Sequence, residues 1–430
     1  MQKIYLKPHK DESLRRFHPW IFSGAIHHMS AQPDDGAPVE VYTAEGEYIA
    51  TGHFQNATIM VRVLTFSHEP IDQAFYERRI ATCLDVRRSI GLVQTPPQAA
   101  TQLTGLPAEP LSGNPSDSKL TNAYRLVHGE GDNLPGLVVD IYGRTAVMQA
   151  HSVGMHRDRH IIAAALKATL ADNLDNIYYK SETTLPNKTE LQQENCFLMG
   201  GSADDIAVEN GLRFHVDWLH GQKTGFFVDQ RENRRLLEQY AHGRNVLNMF
   251  CYTGGFSFYA MRGQARLVHS VDSSQKAIDL TNANVRLNFP DDPRHEAFAE
   301  DAFRFLDRMT ATNSQPSGSN PSEAKSIYDL IILDPPAFAK HKDALRNALK
   351  GYTRLNRRAL EKIQPGGILF TFSCSQAVNK DQFRAAVFTA AAAAGRNVRI
   401  LHQLHQPADH PVSIYHPEGE YLKGLVLYVE

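Results

Sequence analysis

Asn245-Val246-Leu247-Asn248-Met249-Phe250 runs straight into Cys251-Tyr252-Thr253-Gly254-Gly255-Phe256, and the reading of this stretch decides the fold. Its first half is a short, mostly apolar run with the character of a buried strand. The glycines that follow end the strand and open a helix over Gly255–Arg262. Glycine between a strand and a helix lets a ligand approach the backbone, and the helix amino end then faces a polar or anionic group. The spacing is not the Gly-x-Gly-x-x-Gly dinucleotide fingerprint, so the ligand must be read from the neighbouring strands.

Working outward, strand patterns recur at 266–272, 296–300, 328–334 and 367–373, with helical patterns at 275–288, 342–363 and 380–394. Strands at 398–404 and 422–429 close the chain. This alternation over 204–430 predicts an α/β domain with a mainly parallel sheet, helices on both faces, and a ligand outside the carboxyl ends of the strands. Towards the amino terminus the periodicity changes. Residues 1–67 hold short alternating runs, with a hairpin signal at Ala44-Glu45-Gly46, and fit a small β-barrel or sandwich. From 71 to 203 a helix at 71–90, strands at 137–142, 145–149 and 177–180 and a helix at 155–170 form a middle α+β region. The Pro- and Ser-rich segments 94–118 and 311–326 read as insertions.

The 430 residues carry 45 Lys+Arg against 47 Asp+Glu, a net charge of −2, with 42% apolar and 21% charged residues. That is ordinary globular composition. No apolar run approaches the roughly 20 residues of a bilayer span, and the start lacks the apolar block of a signal peptide, so a cytoplasmic protein is expected. Cys83, Cys196, Cys251 and Cys374 lie far apart without a Cys-x-x-Cys pair, which argues against zinc, redox or disulfide scaffolds. His402, His405, His410 and His416 lack a metal-ligand spacing and read as loop and surface histidines; no metal is expected.

Three successive strands end in groups suited to a nucleoside. After the glycine turn comes Asp272, about 20 residues on, where a carboxylate can accept both ribose hydroxyls. Glu300-Asp301 follows, and a carboxylate there can accept from an adenine amino group. The fourth strand ends in Asp334-Pro335-Pro336-Ala337-Phe338. Two prolines fix a rigid turn, so a carboxylate, carbonyls and a ring can grip a flat heterocycle.

Residues 248–256, Asp272, Asp301 and 334–338 resemble the ordered motifs of class I S-adenosylmethionine-dependent methyltransferases. More narrowly, 221–231 (Gly-Gln-Lys-Thr-Gly-Phe-Phe-Val-Asp-Gln-Arg), 125–143, Ala408-Asp409-His410-Pro411, Pro417-Glu418-Gly419 and Tyr421-Leu422-Lys423-Gly424 resemble the large-subunit ribosomal RNA cytosine-5 methyltransferases with an amino-terminal PUA domain. The resemblance covers nearly the whole chain. It implies a PUA-like domain at 1–70, a middle α+β domain at 71–203 and a Rossmann-like methyltransferase domain at 204–430. The implied cofactor is S-adenosylmethionine, held by Lys223, Thr224, Gly225, Phe227, Gln230, Asn248, Tyr252, Thr253, Gly254, Asp272, Ser274, Asp301 and Asp334. The implied partner is 23S ribosomal RNA or an assembling large subunit, and a homodimer is suggested.

The fifth strand ends in Ser373-Cys374-Ser375. Cytosine carbon 5 is too weak a nucleophile to take a methyl group directly; a thiolate adding to carbon 6 activates it. A free Cys facing the Asp334 loop therefore favours pyrimidine carbon chemistry, with Cys374 and Asp334 as the catalytic pair. For RNA, Lys342, Arg346, Lys350, Arg354 and Arg358 recur every four residues and make a helical stripe beside Pro335 and Phe338. From 340 to 358 seven basic residues face one acid, a local charge of +6. Lys7, Arg15 and Arg16, with the stacking surface of Phe17, His18 and Trp20, form a second basic edge. Two rival readings stand: an N-methyltransferase acting on a ribosomal guanine amino group, which needs no Cys374, and a non-catalytic RNA-binding assembly factor.

Overall fold

The computed structural model describes residues 1–93, 121–186, 194–201, 206–311, 327–339 and 342–430. The insertion predicted at 94–118 and all but the first residue of that at 311–326 lie outside the described residues. Two compact units emerge: Met1–Gly211 with Val216–Asp229 and Ala408–Gly419, and Leu212–His215 with Gln230–Pro407 and Glu420–Glu430.

The first unit holds two sheets. Strands β1 (Gln2–Leu6), β2 (Trp20–Phe22), β3 (Ile26–Met29), β4 (Pro38–Tyr42), β5 (Tyr48–Phe54) and β6 (Ile59–Thr65), with the short helix α1 (Glu12–Arg15), build a six-stranded sheet in the order β2-β6-β5-β4-β1-β3. The predicted hairpin is the β4–β5 antiparallel pair. Alternate residues such as Ile4, Leu6, Val39 and Val41 point into one apolar core, as a period of two requires. Helix α2 (Gln73–Ser89) follows, begun by Asp72, whose side chain accepts from Phe75 N at 2.9 Å. Strands β7 (Ala123–His128), β8 (Leu137–Tyr142), β9 (Thr145–Ala150), β10 (Asn176–Tyr179) and β11 (Cys196–Met199) form the second sheet, and β12 (Ile206–Glu209) ends the unit's main stretch. The single helix expected at 155–170 is two, α3 (Val153–Arg157) and α4 (Arg159–Leu170). At their junction Asp158 accepts from the Tyr76 hydroxyl at 2.5 Å and meets His53 Nε2 at 3.0 Å.

Buried ion pairs tie the 408–419 segment into this unit. Arg87, with no exposure, forks onto both Asp132 oxygens at 2.6 and 2.7 Å and donates to the Asp409 carbonyl at 2.7 Å. The Asp409 carboxylate accepts from Arg125 N at 3.0 Å, and Arg125 itself clasps Asp140 through two 2.8 Å bonds. His410 and His416 are buried, at 1% and 3% exposure, which corrects their reading as surface histidines: the bonds of Asp409 draw these side chains inward although Ile414 and Tyr415 between them stay exposed.

The second unit contains β13 (Leu212–His215), α5 (Arg231–Tyr240), β14 (Asn245–Met249), α6 (Gly255–Arg262), β15 (Leu267–Asp272), α7 (Gln275–Asn288), β16 (His295–Ala299), α8 (Ala302–Ala311), β17 (Leu330–Leu333), α9 (Leu345–Lys362), β18 (Gly367–Ser373), α10 (Lys380–Ala393), β19 (Val398–Leu404) and β20 (Lys423–Val429). Its seven-stranded sheet has the order β16-β15-β14-β17-β18-β20-β19. The strands from β16 to β18 are mutually parallel, whereas β20 runs antiparallel to β18 and β19 antiparallel to β20. This is the doubly wound arrangement expected, with order reversing at β14, the point beyond which such sheets bind their ligands. Apolar residues of α8, α9 and α10, among them Phe305, Tyr352, Leu355, Phe383 and Val387, bury one face of the sheet. Among the described residues no helix is long and apolar enough to cross a membrane.

The fold yields a stability contrast. Arg87→Ala leaves Asp132 ionised and buried without its partner and should destabilise the protein by about 3–5 kcal/mol. Arg15→Ala breaks an exposed pair with Asp11 and Glu47, where water screens the charges, and should leave stability nearly unchanged. Chemical denaturation of the two variants side by side checks the difference.

Candidate active site

The carboxyl ends of β14, β15, β16, β17 and β18 share one edge of the sheet, because these strands are parallel. Beyond β14 the chain makes a tight loop: Phe250, Tyr252 and Gly254 have φ of 60°, 49° and 84°. At Gly254 a Cβ would lie 2.6 Å from the Phe258 ring and 2.7 Å from the Thr281 methyl, so only glycine fits. Side chains of α7 hold the loop from behind. Thr281 Oγ1 donates to the Tyr252 carbonyl at 3.0 Å and Asn284 Nδ2 to the Thr253 carbonyl at 3.3 Å. Beneath it, Asn248 Nδ2 donates to Ser257 Oγ at 2.9 Å, and the chain continues through Ser270 Oγ to His295 Nε2. Burial pushes the His295 imidazole down to about 4, which keeps it neutral. Asn248 Oδ1 is buried with no hydrogen-bond partner in the structure, an acceptor a polar ligand can satisfy.

Asp272, at the end of β15, accepts from Tyr252 N and Ser274 N, both at 3.0 Å. These bonds fix the carboxylate while each oxygen keeps further acceptor capacity. Ser274 itself caps α7, accepting from Ala277 N at 3.4 Å. Asp301 spends one oxygen on the first turn of α8, accepting from Phe303 N and Arg304 N at 3.0 Å; its group is half a helix cap. Asp334, at the end of β17, accepts from Gln230 Nε2 at 3.1 Å, and Gln230 Oε1 in turn accepts from Asn233 Nδ2 at 2.6 Å. Gln230 and Asn233 are both buried, so this relay sets the orientation of the carboxylate. The loop geometry, the fixed Asp272 and the open Asn248 acceptor fit a cofactor with a diol and a polar amino-acid tail.

Cys374 lies just past β18, half-buried, with its Sγ 4.0 Å from the Pro335 carbonyl. The flanking serines are locked: Ser373 Oγ donates to the Tyr352 hydroxyl at 2.9 Å, and Ser375 Oγ to the Ala339 carbonyl at 2.6 Å. Lys423, at the start of β20, pairs in register with Ser373 and donates from Nζ to the Ser375 carbonyl. Cys251 differs: it is 6% exposed, and burial pushes its thiol well above the usual range. It is a packing residue. Phe338 has one flank taken by α9, its ring 4.7 Å from that of Tyr352 and pressed on Gly351.

The remaining expected residues are each described within their own unit. Lys223, Thr224, Gly225 and Phe227 belong to the first unit. Thr224 is buried there, donating to Asp140 at 2.6 Å and bonded to the Tyr142 hydroxyl at 3.0 Å. Lys223 Nζ lies over the Phe227 ring at 5.0 Å. Gly225 has φ 113°, and a Cβ would meet the Trp218 backbone at 2.6 Å. The basic stripe is weaker than its count. Arg358 faces Asp307 and Glu361 at 3.4 and 3.5 Å, and Arg354 lies over the Phe303 ring; Arg346 and Lys350 are exposed. Lys342 precedes α9, and Lys340, counted with the stripe, lies outside the described residues. At the amino terminus Arg15 is held by Asp11 and Glu47, Lys7 Nζ donates to the Gly24 carbonyl at 2.9 Å, and Arg16 is exposed. The partners Asp307, Glu361 and Glu47 are distant in sequence or beyond the counted windows, so charge counting missed them. The sequence reading also passed over Asn233, Thr281 and Asn284, and gave Lys423 no role beyond its place in a quoted motif. Only the i,i+3 placing of Thr281 and Asn284 on one helix face offered a signal.

The family model for S-adenosylmethionine-dependent methyltransferases matches residues 193–418, and that for a PUA-like domain matches residues 4–66. Ribosomal RNA large subunit methyltransferase I of Aeromonas hydrophila is 37% identical over 429 residues, covering 99% of this chain and 98% of its own. Its Alteromonas mediterranea counterpart is 35% identical over 430 residues, with the same 99% and 98% coverage. Two solved chains, one from Streptococcus mutans and SMU.776 in complex with SAH, share the fold over 100% of both chains, with TM-scores of 0.78 and 0.79 at 22% identity. With its motifs at one sheet edge and full-length relatives of this kind, the chain belongs to the ribosomal RNA large subunit methyltransferase I family of S-adenosylmethionine-dependent methyltransferases.

Proposed function

We propose that this chain methylates carbon 5 of a cytosine in 23S ribosomal RNA through a covalent adduct on Cys374. When bound, S-adenosylmethionine would supply an electrophilic methyl group, its S–CH3 bond breaking to leave a neutral thioether. The observation that carries the reading is the half-buried Cys374 thiol against the Pro335 carbonyl, at the sheet edge that also bears Asp334 and Asp272. An N-methyltransferase has no use for a thiol there. The names of the relatives and the PUA-like domain favour a large-subunit RNA as substrate.

In this reading Asp272 takes the ribose hydroxyls of the cofactor, and the Asn248 acceptor and the 250–254 loop take its amino-acid end. Asp334, aimed by Gln230 and Asn233, bonds the cytosine amino group and, when protonated, ring nitrogen 3. The Cys374 thiolate bonds to carbon 6, and the carbon 5–carbon 6 π pair shifts so that carbon 5 becomes enamine-like and takes the methyl group. A base then removes the carbon-5 proton. The C–H pair restores the double bond, and the carbon 6–sulfur bond breaks to return the thiolate. Arg346 and Lys350 on α9, and Arg16 at the amino terminus, are the exposed cations best suited to phosphates.

Incubation with 23S RNA tritiated at cytosine carbon 5 tests the reaction. Wild-type protein should release tritium, and Cys374→Ala should lose release by at least about 10⁴-fold while still binding S-adenosylmethionine. Methyl incorporation without tritium release points to nitrogen methylation; binding with neither points to an assembly factor. Asp272→Ala should weaken S-adenosylmethionine binding by about 10- to 100-fold, read by calorimetry, as one charged hydrogen-bond acceptor is lost.

A further inference from the structure

We propose that Lys423 is the counter-charge that holds the Cys374 sulfur as a thiolate, acting on the reaction through Cys374 and not on the substrate. The inference rests on Cys374 being the nucleophile. An unassisted thiol is only a few per cent ionised at neutral pH, so the site must supply a cation.

Lys423 is the first residue of β20, and the antiparallel pairing sets it opposite Ser373, the residue before Cys374. Its Nζ donates to the carbonyl of Ser375, the residue after Cys374. Lys423 thus meets both neighbours of Cys374, its backbone opposite Ser373 and its amine on the Ser375 carbonyl. It is also buried, at 6% exposure, and a buried ammonium is costly unless an anion compensates it. One carbonyl satisfies one of its three donors.

The other charged groups around it do not supply that anion. Glu420 and Lys380 act on Lys423 from nearby but are exposed and paired with each other at 2.9 Å. Tyr352, across Ser373, is a phenol that burial pushes upward and keeps neutral. Asp334, on the neighbouring strand end, is bonded to Gln230, and its negative charge opposes a thiolate. The sulfur of Cys374 is the anion whose charge most favours the protonated amine. Burial lowers the amine to about 8, so at neutral pH it is still predominantly an ammonium. In the step proposed, the S–H bond breaks, its electron pair stays on sulfur and the proton passes to water. The Lys423 ammonium, already fully protonated, stabilises the thiolate left behind. The coupling is reciprocal: the thiolate raises the amine as the ammonium lowers the thiol.

Alkylation of the full-length protein with iodoacetamide across pH, mapped peptide by peptide, separates Cys374 from the exposed Cys196. In wild type the Cys374 profile should show an apparent pKa below the usual thiol value of about 8.5. Lys423→Met should raise it by about one unit, slowing alkylation at pH 7 about ten-fold, while Lys423→Arg keeps it low. A wild-type value at or above about 8.5 overturns the proposal without any variant. So does an unchanged profile in a Lys423→Met protein that binds S-adenosylmethionine normally. Because alkylation reads the thiol itself, the two ideas fail separately. Methyl transfer by Cys374→Ala removes the nucleophile but leaves the titration standing. An unchanged titration with Cys374-dependent tritium release removes only Lys423.

Discussion

The parallel pairing of β14 through β18 is the constraint on which the site depends. Parallel strands deliver their carboxyl ends to one edge, and the reversal of order at β14 separates the connections there, leaving a crevice. The glycine loop, Asp272, Asp301, Asp334 and Cys374 lie far apart in sequence, from 250 to 374, yet each follows the end of one of these strands. None of them has to travel on a long loop to reach the others. That economy gives positional precision, since strands buried on both faces hold their ends more rigidly than free loops do.

The price of assembling polar groups at such an edge is visible as backing. The carboxylates at this edge are fixed by bonds from other groups: Asp272 by two backbone N–H groups, and Asp334 by the Gln230–Asn233 relay. The loop carbonyls of Tyr252 and Thr253 are held by α7. Buried polar atoms that stay unpaired cost about 1–3 kcal/mol each, so these partners stabilise the site as well as orient it. The first unit applies the same rule to its charges. Arg87, Asp132, Asp140 and Asp409 are buried and Arg125 is half-buried beside them, and their fork-shaped pairing compensates the loss of solvent.

Charge read as a total and charge read in place lead to different pictures. The net −2 conceals a run of cations near α9, but the helix also carries Glu361 and faces Asp307, and these absorb Arg358. Arg354 and Arg357 are exposed but engaged by the Phe303 ring and by Glu361, which leaves Arg346 and Lys350 as the exposed cations of the helix without such a contact among the described residues. A periodic stripe states which side chains share a helix face; it does not state what the neighbouring element presents to them.

The sequence by itself determined the α/β alternation, the glycine turn and the acids at the strand ends, because these are local: strand, turn and helix patterns are set by residues within a few positions of each other. It also singled out Cys374 through its place at a strand end. Tertiary structure alone decided which groups back them. The split at Asp158, the burial of His410 and His416 and the Asp334 relay arise between segments tens to hundreds of residues apart. Lys423 is the sharpest case. Nothing near it in sequence relates it to Cys374, and only an antiparallel strand inserted beside β18 brings its amine to the carbonyl of Ser375, the residue after that cysteine.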